Sequence, residues 1–148
     1  MKSYASLKTI LIAKMTALKG KDSNALFAGV YGVMETEPTG YPMCCVMESA
    51  GSGGILDTQR NQREWQFEIT LVQEIGTKTP ELAYVALLDA TDRVIDAFDQ
   101  DPMLLDAHGQ NQCMYCKVVP NEFDFDGDAY QTTKLTVAIV DMVNRYTA

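Results

Sequence analysis

Histidine occurs once in the 148 residues, at His108, and tryptophan once, at Trp65. A single imidazole, set in what reads as a loop, leaves acid–base chemistry to carboxylates alone. The chain also has no Gly-x-Ser-x-Gly elbow, no Walker phosphate loop, no Rossmann glycine fingerprint and no His-Glu-x-x-His pair. Gly51-Ser-Gly-Gly54 is not followed by the Lys-Ser/Thr that phosphate binding needs. With no grouping of nucleophile, base and orienter, no catalytic residue is assigned and an enzyme is not expected. Apolar runs are short as well, and none approaches the roughly 18 uninterrupted residues of a spanning helix, so no membrane partner is expected. Lys14 and Lys19 interrupt the apolar stretch near the start, so residues 5 to 20 read as a mature helix rather than a targeting peptide.

Basic residues are scarce relative to acids. Twelve Lys and Arg against twenty Asp and Glu give a formal net charge of −8, which argues against a chain whose main task is gripping phosphate backbones. Lys2, Lys8, Lys14, Lys19 and Lys21 all precede the first acid, Asp22, whereas twelve of the twenty acids lie from Glu81 onward. Such polarity suits head-to-tail contact between copies; two solvated faces are the alternative.

Four cysteines, Cys44, Cys45, Cys113 and Cys116, sit in apolar segments of a chain large enough to bury ~70% of its unfolded surface without staples. Reduced, buried thiols are expected. Cys113-Met-Tyr-Cys116 has the spacing of a zinc knuckle or redox pair, but on a strand positions three apart point to opposite faces, and only His108 is at hand to complete a site. No metal ligand and no cofactor is assigned on these grounds. Asp124, Asp126 and Asp128 make an acidic turn that departs from a calcium loop: Gly127 comes early, Ala129 stands where the turn glycine belongs, and Leu135 replaces the twelfth-position Glu. A solvated turn is the default, with casual divalent-ion binding left open.

The apolar pattern is that of a mixed domain. Tyr4, Leu7, Leu11, Met15 and Leu18 recur at helical spacing, and Gly20 follows. Residues 25 to 34 and 41 to 48 read as a pair of strands separated by Glu37-Pro-Thr-Gly40. Strict alternation over 64 to 75 puts Trp65, Phe67, Ile69 and Leu71 on one face of a strand. Thr79-Pro80-Glu81 opens a helix to about Gln100, with Tyr84, Leu87, Leu88, Thr91, Val94, Ile95 and Phe98 as its buried stripe. Strands at 113 to 119 and about 130 to 143 complete the order α-β-β-β-α-β-β. The expected fold is a single α+β domain over residues 1 to 148, a mostly antiparallel sheet with two helices packed on one face. The long segment 49 to 63, rich in Gly at its start and ending in Arg60 and Arg63, reads as a flexible loop.

Two features of the second helix point outward. Asp89, Asp92, Asp96 and Asp99 form an acidic stripe that Arg93 compensates little; a solvated face or a contact with a basic neighbour would account for it. Leu82, Val85 and Ala86 lie outside the main buried stripe, so something beyond the helix's own core is expected to cover its first turn, another strand of the chain being the alternative.

The N-terminal helix, the strand pair, the long loop, the strand EWQFEITLVQEI, the helix TPELAYVALLDATDRVIDAF and the closing strand TKLTVAIVDMV, in that order, together resemble the tail-terminator family of long-tailed bacteriophages. The resemblance implies a virion protein of the tail and neck, assembled in the host cytoplasm. It implies a homo-oligomeric ring, usually of six copies, that caps the tail tube and meets a head-completion or stopper protein. DNA would traverse the ring without specific binding, which an acidic chain favours. By the same resemblance the 49 to 63 segment is an inter-subunit or tube-facing arm with Arg60 and Arg63 as contacts, beside Leu82, Val85, Asp89, Asp92, Asp96 and Asp99 as interface candidates. Another neck component, such as a head-tail adaptor or minor tail protein, is the nearest alternative. A monomeric small-ligand-binding domain is an alternative of a different class.

Overall fold

In the computed structural model, residues 3–55, 60–76, 79–125, 127 and 129–144 are described. The chain runs α1 (Tyr4–Ala17), β1 (Gly29–Tyr31), β2 (Met43–Ile55), β3 (Arg60–Glu74), α2 (Pro80–Asp99), β4 (Tyr115–Asp124) and β5 (Tyr130–Asn144). Its strands form one sheet in the spatial order β1-β2-β3-β5-β4, antiparallel except at the β1–β2 edge. The fold is therefore α+β, as the alternating patterns predict.

Alternation in β3 decides where the core lies. Trp65, Phe67, Ile69 and Leu71 are buried with Leu135, Val137 and Ile139 of β5. Leu7, Leu11 and Met15 of α1 and Leu87, Val94 and Phe98 of α2 cover that same face, so both helices pack on one side. Ser3 caps α1 by accepting from the Ser6 N–H, and Thr79 caps α2 by accepting from the Leu82 N–H. On the opposite face a smaller cluster of Met43, Cys45 and Val72 is buried, with the partly buried Tyr31 and Tyr41 packed against it.

One polar pair sits in the main core. The Thr91 hydroxyl donates to the Leu87 carbonyl at 2.8 Å, so the Thr133 hydroxyl, 3.0 Å away, donates to Thr91. Both side chains are buried. Thr91→Val strands the Thr133 donor, and urea unfolding is expected to register a loss of about 1–3 kcal/mol. The double change to valine should recover part of it, and an equal or larger loss in the double variant would contradict this pairing.

Three sequence expectations are corrected here. Residues 25–34 and 41–48 do supply a pair of strands, but β1 is only three residues long and runs parallel to β2, with Gly29 opposite Met43, where the expected sheet is mostly antiparallel. The segment 32–42 carries the chain back to the starting end, and the Ala28 N–H, donating to the Pro42 carbonyl at 2.9 Å, sets the two strands off side by side.

Segment 49–63, read as a flexible loop, is strand wherever it is described. Ser52 through Ile55 pair with Glu64 through Asn61, and a bulge between Ser49 and Ser52 absorbs the register change. The reason lies in the partner: β3 is held on its other side by β5 as far as Arg60–Asn144, so its free backbone groups template β2 even where β2 is only Gly and Ser. Residues 56–59 lie outside the described residues.

The buried stripe of α2 is Ala83, Leu87, Ala90, Thr91, Val94 and Phe98, rotated from the expected one. Small residues at 83 and 90 let the helix approach the sheet, whereas Tyr84 is 40% exposed and Leu88 and Ile95 lie at the border.

Candidate functional surface

The geometry of α2 sorts its residues by angle. At 100° per residue, Leu82, Val85, Asp89, Asp92, Asp96 and Asp99 fall on the face opposite the buried set. Leu82 is 60% and Val85 56% exposed, so among the described residues no strand covers the first turns. A helix that has already buried one face thus carries a second, apolar at its start and acidic beyond.

An aromatic group flanks the apolar end. Tyr84 meets Phe125 edge-on with ring centroids 4.8 Å apart, and Phe125 lies 5.8 Å from Phe123. Phe123 reaches this side because of a bulge between Pro120 and Glu122, which shifts it one place to stand opposite Thr133 instead of Thr132. It is 49% exposed. Sequence reading passes over Phe123 and Phe125 as part of an acidic turn; the Phe-Asp-Phe alternation is the signal for them, but the bulge that aims it has no sequence mark.

The acidic stripe is only partly free. Arg93 Nε lies 3.0 Å from Asp89, one helical turn before it, and Lys21 Nζ lies 3.9 Å from the same carboxylate, so Asp89 is matched by two cations. Asp92, Asp96 and Asp99 are exposed and make no ion pair among the described residues. The expected segregation into a basic end and an acidic end is blunted in the same way. Lys14 bonds Asp101 at 3.0 Å above the Phe98 ring, and Lys8 bonds Glu48, where its ammonium holds the Glu48 carboxyl below the usual range. Packing α1 beside the acid-rich segments matches the charges within one molecule.

Arg60 and Arg63 are not brought to the apolar start of this face. Arg63 pairs with Asp141, ten residues along β5 from Gln131, whose amide donates to the Pro80 carbonyl at the start of α2. That is about 33 Å of strand. Arg63 is exposed at the far end of the sheet, and Arg60 holds the last position of β3 opposite Asn144.

The remaining candidates stand apart. His108 lies on an exposed turn where Asp106 accepts from the His108 and Gln110 N–H groups. Asp124 closes β4 opposite Thr132, while Asp126 and Asp128 lie outside the described residues. Among the described residues no three of His, Cys, Asp and Glu cluster to hold a metal ion.

The outer face of the sheet carries an open cavity of about 310 Å³ between the 34–36 segment and the strands, lined by Met34, Glu35, Tyr41, Met43, Val72 and Tyr130 among others. Burial and a hydrogen bond to the Tyr130 hydroxyl push the Tyr41 phenol up to about 12, so it stays neutral at physiological pH. The lining is mostly apolar, with few polar groups to orient a ligand.

No protein-family model matches the chain, and no curated protein matches it.

Proposed function

We propose that this protein is a structural component of a bacteriophage tail, a ring of about six copies that caps the tail tube and meets the head-completion proteins. The outward face of α2 is the observation that carries the assembly part of this reading. Leu82, Val85, Tyr84 and Phe123 expose apolar surface on a domain whose own core is already closed, and three exposed carboxylates without an ion pair among the described residues continue the same helix face. Surfaces of that kind, apolar with a polar border, are what association buries.

The two ends of the molecule differ, which favours a ring over a two-fold dimer. The apolar start of α2 and the arginines at the end of the β2–β3 hairpin lie at opposite ends of the sheet. A contact between unlike patches is heterologous, and heterologous contacts form rings where the rotation between copies closes and open filaments where it does not. The tail assignment rests on the resemblance in element order and strand patterning, and the acidic balance agrees with a channel that DNA must pass through without being held.

Purified tail tubes mixed with the protein should show density at one tube end by negative-stain microscopy. A variant carrying Arg60→Glu and Arg63→Glu should lose that density or fail to form the ring. Unchanged capping by the variant would remove the arginines from the contact. Binding to portal complexes in preference to tube ends would move the assignment to a head-tail adaptor. The outer-face cavity is what favours a small-ligand-binding domain, and a protein that stays monomeric at high concentration would support that reading instead.

A further inference from the structure

On a regular strand the side chains of Cys113 and Cys116 would point to opposite faces. In the structure Cys113 lies on a bend before β4 begins at Tyr115, and the bend turns both thiols the same way. Segment 112–116 is strapped to the turn after α2: the Gln112 N–H donates to the Met103 carbonyl at 3.0 Å and the Cys116 N–H to the Pro102 carbonyl at 2.6 Å. The Cys113 thiol lies 3.7 Å from the Pro102 carbonyl oxygen and the Cys116 thiol 3.9 Å from that of Asp101, two consecutive acceptors, and the thiols contact one another. Both residues are buried and neither is in a disulfide. Cys44 and Cys45, by contrast, are sequence neighbours on opposite faces of β2, one in the main core and the other in the small outer cluster.

We infer that Cys113 and Cys116 form a dithiol site that a peroxide closes to an intrachain disulfide, locking the bend that leads into β4. This inference stands independently of the ring. The sulfur of one cysteine, as thiolate, attacks a peroxide oxygen; the O–O bond breaks and a sulfenic acid forms. The second sulfur attacks the sulfenic sulfur, the S–S bond forms and water leaves. Two thiols and one hydrogen peroxide give one disulfide and two waters, with two electrons passing from the sulfurs to the peroxide. The hydrogen bond to Cys113 and burial both push the Cys116 thiol up, and because the attacking form is the thiolate, closure quickens as pH rises.

The test treats the protein with hydrogen peroxide in mildly alkaline buffer, natively and during refolding from urea, then alkylates it in denaturant and maps the peptides. The expected product has a Cys113–Cys116 cross-link, about 2 Da lighter than the dithiol, with Cys44 and Cys45 alkylated. Its thermal midpoint should lie a few degrees above that of the reduced protein, and Cys116→Ser should show neither cross-link nor shift. The inference is overturned by alkylation of both Cys113 and Cys116 after oxidative refolding. Sulfinic or sulfonic acid at either residue without a cross-link overturns it too, as does a cross-linked protein that melts below the reduced one.

Discussion

Replacing Leu82 and Val85 together by glutamate should convert the assembled protein to a monomer while leaving its fold intact. Both side chains are more than half exposed, so folding loses little by their removal. Glutamate is a good helix former, and the new carboxylate at 85 repels Asp89 one turn on by only a few tenths of a kcal/mol, which keeps the stability change within about 1 kcal/mol. Association loses far more. Two apolar anchors at the centre of a contact are worth ~2 kcal/mol or more each, so each interface weakens by about a thousandfold, and a ring repeats that loss at every contact. Native mass and thermal midpoint, measured on one preparation, separate the two effects. A variant that still assembles shows that the outward face of α2 is solvated in the assembly. One that unfolds shows instead that these residues serve the monomer.

Phe67→Ala should cost about 3–5 kcal/mol, a large share of the 5–15 kcal/mol that keeps a domain folded. Phe67 is fully buried in β3, the middle strand of the sheet, and its ring meets Tyr4 of α1 edge-on at 5.5 Å. Truncation therefore opens a cavity and loosens the first helix together. In urea the midpoint should fall sharply with little change in slope. Glu68→Ala, one residue on and facing the other side, should stay within about 0.5 kcal/mol. Near-equal effects at 67 and 68 would mean that β3 does not present alternate faces to core and surface.

Period-2 alternation over residues 64–75 places β3, and the Thr-Pro-Glu start places α2, because each signal is local and is backed by packing on one face. What depends on a distant partner is not legible. Ser52 to Ile55 carry little β signal and become strand because β3 offers an edge already fixed by β5. The parallel pairing of β1 follows from how the 32–42 segment returns, which no residue pattern announces. The outward placement of Leu82 and Val85 was readable from helical spacing, since it needs only the angle between residues. Pairing of Arg93 with Asp89 follows from i,i+4 spacing as well, whereas that of Lys21 with Asp89 depends on how distant side chains meet in the folded molecule. Phe123 joins the surface through a bulge, and Cys113 meets Cys116 through a bend; in both, one irregular residue reverses a face that regular alternation would assign.

The most direct test of the assembly reading is the native mass of the purified protein at high concentration, with and without tail tubes. The account predicts a closed ring near six times the 16.4 kDa chain, formed alone or at tube ends. A monomer that remains 16.4 kDa under both conditions and leaves tube ends bare would contradict it.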